Sequence, residues 1–137
     1  VMVESFAIVQ YGPNTYFLGG ELDLATAPRL EEAVQASIET GGPVLFDLSA
    51  VSFIDSSGLR AFLSIAQNLG TKGCVLLHAP QKRVRRLIEM VRLTDVPNLH
   101  VESCTLVAHP ESYIEWTPPP DLAERFAELR QYALDTR

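Results

Sequence analysis

Residues 53–60, which read F-I-D-S-S-G-L-R, have the side chains best suited to chemistry in this sequence. Asp and Ser residues cap helices, since their side-chain oxygens accept hydrogen bonds from the unpaired N–H groups of the first turn. Those N–H groups and the helix dipole also favour an anion such as phosphate. Taken alone, the run is better explained as a plain helix cap than as a site of phosphate chemistry.

A second polar segment, residues 19–28, reads G-G-E-L-D-L-A-T-A-P and also joins a predicted strand to a predicted helix. In a parallel arrangement both segments emerge at the carboxyl ends of their strands. Folds of the α/β class place their functional loops at that edge. We therefore expect one shared surface formed by two loops, the first carrying Glu21, Asp23 and Thr26 and the second carrying Asp55, Ser56 and Ser57.

The elements that position these loops can be predicted from hydrophobic periodicity. Turn residues between two runs of high β-propensity predict a hairpin of strands 3–10 and 15–18, with Gly19-Gly20 ending the second strand. Apolar positions at helical spacing predict helices over 30–38, 59–69 and 84–91, with Thr26 capping the first and Pro28 in its first turn. Nearly continuous apolar runs predict buried strands over 43–48, 74–77 and 99–101. The order predicts an α/β fold: a small mixed, mostly parallel sheet flanked by helices.

The net charge and the hydropathy of the chain indicate which kinds of partner the protein can bind. The formal net charge is −6, which disfavours nucleic acid as a partner. No apolar run reaches the roughly 18 residues of a membrane span, and the first residues lack a signal-peptide pattern, so we expect a cytoplasmic protein without membrane insertion. The local exception is K-R-V-R-R at 82–86. It fits a solvated helix face or a basic rim for an acidic partner, a phosphate or a lipid headgroup.

Neither a metal site nor a catalytic centre is predicted. His78, His100 and His109 have no metal-ligand spacing with one another or with the cysteines, and Cys74 is expected to be buried. Residues 70–73 lack the frame of a phosphate-binding loop. Asp55 stands where a hydrolase nucleophile motif needs glycine. We therefore expect no cofactor and no enzymatic activity.

The last part of the chain reads differently from the rest. Residues 111–120 contain Trp116 and three consecutive prolines, which predict a stiff extended linker. An amphipathic helix is predicted over 121–134, with Leu122, Phe126 and Leu129 on one face. We therefore divide the chain into a domain over 1–107 and an extension over 108–137. The apolar face should pack on the domain or on a second copy, so a homodimer is left open.

The two polar segments, in this order and spacing, resemble the STAS domain (sulphate transporter and anti-sigma factor antagonist). The similarity covers roughly residues 5–107, including G-E-L-D at 20–23, V-L-F-D-L at 44–48 and S-F-I-D-S-S-G-L at 52–59. In stand-alone members the second serine of D-S-S-G accepts phosphate, which implies Ser57 here. The resemblance implies a partner-binding surface formed by Glu21, Asp23, Thr26, Asp55, Ser56, Gly58 and Leu59. The chain departs from the family at 104–110, a poor helix where members continue directly into one.

Such a resemblance implies a partner switch. The unphosphorylated protein would bind an anti-sigma factor that is itself a serine kinase, and thereby free the sigma factor. Phosphorylation of Ser57 by that kinase would release the complex, and a separate serine phosphatase would reset it. The alternative is a non-phosphorylated STAS module of a transporter complex, of the lipid-transport ABC subunit type.

Overall fold

A five-stranded sheet organises residues 6–102, the part of the chain that the computed structural model describes. Its strands are β1 (Phe6–Gln10), β2 (Thr15–Leu22), β3 (Gly42–Ile54), β4 (Gly73–His78) and β5 (Leu99–Glu102), and they lie side by side in that order. β1 runs antiparallel to β2, and every other neighbouring pair is parallel. The predicted α/β class, with a small and mostly parallel mixed sheet, is confirmed.

Within residues 6–102, four α-helices accompany the sheet: α1 (Ala27–Ala33), α2 (Gln35–Thr40), α3 (Ser56–Leu69) and α4 (Lys82–Met90). The first predicted helix is divided in two, because Val34 adopts φ −95° and ψ 3° between α1 and α2. Val34 is nevertheless fully buried, and its N–H still bonds to the Leu30 carbonyl at 3.2 Å. The apolar side of the predicted helix therefore faces the core on both sides of the break at Val34.

The hydrophobic core lies between the helices and one side of the sheet, which we call the first face. Phe46 of β3 stacks on Tyr16 of β2, with ring centroids 5.5 Å apart, and meets the edge of Phe62 of α3 at 5.3 Å. Tyr16 also shares a 2.6 Å hydrogen bond with the hydroxyl of Ser37, so its buried polar atom is satisfied. These contacts hold α3 against the centre of the sheet.

The expectation that Gly19-Gly20 ends β2 is wrong, since the strand continues to Leu22. Shifts in the β2–β3 register flank both glycines, and Gly20 has φ +92°. Glycine is suited to such bulges because it tolerates backbone conformations that other residues avoid. β3 is likewise longer than predicted and runs to Ile54. As a result Glu21 lies on a strand and not on a loop.

Several expectations fall outside the described residues: the domain boundary at 107, and the proline linker and C-terminal helix of 108–137. Within 6–102, Cys74 is buried as predicted. No helix of this part of the chain is long and apolar enough to cross a membrane. The same residues contain no group of three His, Cys, Asp or Glu side chains placed to hold a metal ion.

Candidate functional site

The two polar segments meet where β2 and β3 end. Leu22 and Ile54 are register partners in the parallel pair, and Glu21 pairs with Phe53. One residue further on, the Asp55 N–H donates a hydrogen bond to the Leu22 carbonyl at 3.2 Å. The structure therefore brings both segments to one edge of the sheet.

The first segment is a tight turn built around Asp23. Its Oδ1 accepts hydrogen bonds from the N–H groups of Ala25 at 3.0 Å and Thr26 at 3.1 Å. The Thr26 hydroxyl accepts from the Asp23 N–H at 2.8 Å and donates back to the Glu21 carbonyl at 3.0 Å or to the Asp23 carboxylate at 3.1 Å. The turn is thereby fixed by its own side chains.

This turn corrects the expectation for Thr26. The residue occupies the N-cap position of α1, but its side chain makes no capping hydrogen bond there. Its hydroxyl is instead occupied by Glu21 and Asp23, and the side chain is only 5% exposed. Pro28 does lie in the first turn of α1, as predicted.

The second segment begins α3 at Ser56, with Asp55 as its N-cap. The Asp55 backbone is extended, and its Oδ1 accepts hydrogen bonds from the N–H groups of Ser57 at 2.8 Å and Gly58 at 3.2 Å. Two of the free N–H groups at the helix start are thereby satisfied. The capping role expected of Asp55 is observed.

Gly58 lets α3 approach the end of β2 closely. A Cβ atom at this position would lie 2.7 Å from Ile54 Cγ1 and 2.8 Å from the Leu22 carbonyl oxygen. The carbonyl belongs to the backbone and cannot rotate away. Any side chain here would push the start of α3 off the sheet and displace Ser57 with it.

Exposure divides the predicted partner-binding residues into two groups. Glu21 and Ser56 are exposed, while Asp23, Asp55 and Ser57 are partly exposed. The remaining three residues, Thr26, Gly58 and Leu59, are buried. Thr26 and Leu59 support this surface from beneath, and Gly58 allows α3 to pack closely on β2, so a partner would not contact these three residues directly.

Two apolar side chains of this surface were missed by sequence reasoning. Leu24 is 76% exposed at the tip of the Asp23 turn, and Phe53 is 43% exposed beside Glu21. Strand alternation could have revealed Phe53, since its neighbour Ile54 points into the core. We call the set Glu21, Asp23, Leu24, Phe53, Asp55, Ser56 and Ser57 the carboxyl-edge surface.

The basic stretch begins α4, after the carboxyl end of β4. Lys82, Arg83 and Arg86 are exposed and line a shallow groove with Ser52 of β3 and Gln81. The groove is positioned by Gln81, whose side-chain amide donates to the Ser49 carbonyl at 3.0 Å. These cations are solvated, and the groove borders β3 close to Phe53.

Comparison with known proteins identifies the family of this chain. The model of the STAS domain matches residues 7–104, which is most of the chain. The chain belongs to the STAS domain family. The match includes both polar segments and every element from β2 to β5.

Two curated relatives that resemble this chain are both named anti-sigma-B factor antagonist. The anti-sigma-B factor antagonist of Listeria monocytogenes is 34% identical over 82 residues, covering 58% of this chain and 72% of the relative. That of Staphylococcus epidermidis is 36% identical over 93 residues, covering 66% of this chain and 83% of the relative. A crystal structure of an anti-sigma factor antagonist from Mycobacterium paratuberculosis aligns with a TM-score of 0.56 and 28% identity, over 70% of this chain and 86% of that one.

Proposed function

We propose that this protein is an anti-sigma factor antagonist that acts as a phosphorylation-controlled partner switch. With Ser57 unphosphorylated it binds an anti-sigma factor that is also a serine kinase. The kinase transfers the terminal phosphoryl group of ATP to the Ser57 hydroxyl, ADP leaves, and the complex separates. A serine phosphatase hydrolyses the phosphate and resets the switch. The relatives' names and the geometry around Ser57 support this proposal.

The position of Ser57 is the observation that carries the proposal. The residue lies in the first turn of α3 and is partly exposed, so its hydroxyl is within reach of a kinase. Its N–H is already bonded to Asp55, which keeps the helix start in place whatever the state of the hydroxyl. The dipole of α3 favours negative charge at this end, so the fold should tolerate a phosphate.

The surroundings of Ser57 explain how a phosphate would change binding. Exposed Leu24 and Phe53 supply apolar contact area of the kind that stabilises protein interfaces. Glu21, Asp23 and Asp55 make the same surface acidic. A phosphate adds about −1.5 to −2 charge to it. Burying that charge against a partner costs free energy unless an opposite charge meets it.

In this proposal the protein itself catalyses nothing and acts in the cytoplasm, where the kinase and the phosphatase would meet it. The kinase supplies the phosphoryl-transfer chemistry, and Ser57 is only its substrate. The transporter-module alternative would require docking to an ATPase without covalent modification. The characterised relatives named above do not favour it, since they are antagonists of anti-sigma factors.

The test is reconstitution with the kinase that co-purifies with the protein from its native cells. Purified protein, kinase and ATP are incubated, and the intact mass and the dissociation constant are measured before and after. We expect one added phosphate and loss of the complex. Stable binding in ATP with no change in mass would contradict the switch and support the transporter-module alternative.

A further inference from the structure

Arg60 is the only basic residue in the two polar segments, 19–28 and 53–60. It is exposed near the start of α3. Arg85 and Arg92 each form an ion pair with an acidic residue three or four positions further along the chain. Among the residues that the structure describes, Arg60 has no such pair. Its guanidinium is therefore available for an anion that the unmodified protein does not supply.

The spacing of Ser57 and Arg60 places them on the same side of α3. Helical residues three positions apart have Cβ atoms about 5–6 Å from each other. Gly58, Leu59 and Ala61 are buried, whereas Ser57 is partly exposed and Arg60 is exposed, so both lie on the solvent side. Helix side chains point back towards the N-terminus, which brings the long Arg60 side chain within reach of Ser57. An anion N-terminal to a cation is also the favourable order for such a pair.

The surroundings of Ser57 leave a phosphate in need of a counter-charge. The N–H groups of Ser57 and Gly58 would otherwise hold an anion at the helix start, but both already donate to Asp55 Oδ1, at 2.8 Å and 3.2 Å. Asp55 itself is negative, and Glu21 and Asp23 add further carboxylates to the same surface. A phosphate on Ser57 would therefore lie among like charges, with the guanidinium one helical turn away as its nearest cation along α3.

We infer that Arg60 pairs with the phosphate of phosphorylated Ser57 and keeps that phosphate doubly ionised at neutral pH. The inference deepens the proposed function and rests on it only in taking Ser57 as the modified residue. The second pKa of phosphoserine is about 6. The carboxylates of Glu21, Asp23 and Asp55 raise this pKa, because like charges disfavour the dianion, and a nearby guanidinium lowers it. Arg60 therefore sets how much charge the modification adds to the surface that a partner would meet.

Phosphorus NMR of the full chain tests this inference, with phosphoserine introduced at position 57 during translation so that no kinase is needed. The chemical shift of the phosphate followed against pH gives its second pKa. Arg60→Gln should raise that pKa by about 0.5 at low salt, and added salt should reduce the difference. Arg60→Lys keeps a cation at this position and should retain most of the effect. The matched control, Arg83→Gln, removes the same charge from an exposed arginine of α4 and should change the pKa far less.

Each outcome of the titration decides for or against the Arg60 pair. The same phosphate pKa in the parent and in Arg60→Gln would overturn the inference, as would equal changes in Arg60→Gln and Arg83→Gln, which would reflect net charge alone. If Arg60→Gln fails to fold, the parent decides: the Arg60 Nε–H resonance should shift with the same midpoint as the phosphate, and an unchanged resonance refutes the pair. A kinase that leaves Ser57 unmodified would contradict the proposed function without affecting this measurement.

Discussion

The N–H of Asp55 donates a hydrogen bond to the carbonyl of Leu22 at 3.2 Å, joining the end of β3 to the end of β2. This bond fixes the start of α3 beside the Asp23 turn. It therefore places Ser57 next to the acidic and apolar side chains of the carboxyl-edge surface. A charge added at Ser57 therefore changes the electrostatics of the surface where a partner would dock.

Gly58→Ala should lower the free energy of unfolding by roughly 1–3 kcal/mol, since its Cβ would overlap the Leu22 carbonyl. Gly19→Ala is the matched control, because a Cβ there would meet Ala50 at an ordinary 3.6 Å. Urea denaturation of both variants measures the difference. Equal stability of the two would show that close packing of α3 on β2 is not needed.

Asp55→Ala should cost about 1 kcal/mol of stability, because two N–H groups of α3 lose their cap. Asp55→Asn should retain most of it, since asparagine caps nearly as well as aspartate. Thermal or urea unfolding separates the two variants. An Asn variant as unstable as the Ala variant would indicate that the negative charge of Asp55, and not its hydrogen bonds, stabilises the helix start.

Ser57→Asp should be at least as stable as the isosteric Ser57→Asn at low salt, with a gain of about 0.3–1 kcal/mol from charge at the helix N-terminus. The gain should shrink as salt screens it. Unfolding at two ionic strengths measures this. If the Asp variant were clearly the less stable, repulsion from Asp55 and its acidic neighbours would outweigh the helix dipole, and a phosphate would strain the fold.

Leu24→Ser and Phe53→Ser should each weaken binding to the co-purified kinase about tenfold or more, with little effect on stability. Both side chains are exposed in the free protein, so the fold loses little when they are shortened. Met90→Ser is the control, since Met90 is 68% exposed at the far end of α4. Calorimetric titration gives the dissociation constants. Equal losses for all three variants would place the interface elsewhere.

The fold was largely predictable because each element has a clear local signal. The turn composition at 11–14 and the apolar stripe of 59–69 both predict what the structure contains. The predicted end of β2 at Gly19 and Gly20 was wrong because glycine is common both at strand ends and in bulges. Only the pairing of β2 with β3 distinguishes the two.

The site was predictable in its chemistry and less so in its exposure. Asp55, Ser56 and Ser57 were placed correctly at the start of a helix. The burial of Gly58 depends on how closely α3 approaches Leu22, which no local pattern encodes. The exposure of Leu24 depends on the hydrogen bonds between Asp23 and Thr26, which fix the turn that directs Leu24 towards solvent. These bonds form only in the folded turn, so the sequence alone does not reveal them.

Localising the phosphate after incubation with the kinase and ATP tests the central claim most directly. Peptide mass spectrometry of the wild type, Ser57→Ala and Ser56→Ala proteins identifies the modified residue, and titration of each product gives its affinity. The account predicts phosphate on Ser57 in the wild type and in Ser56→Ala, none in Ser57→Ala, and at least tenfold weaker binding once Ser57 is modified. Phosphate on Ser56, or equal affinity of the phosphorylated and unphosphorylated forms, would contradict it.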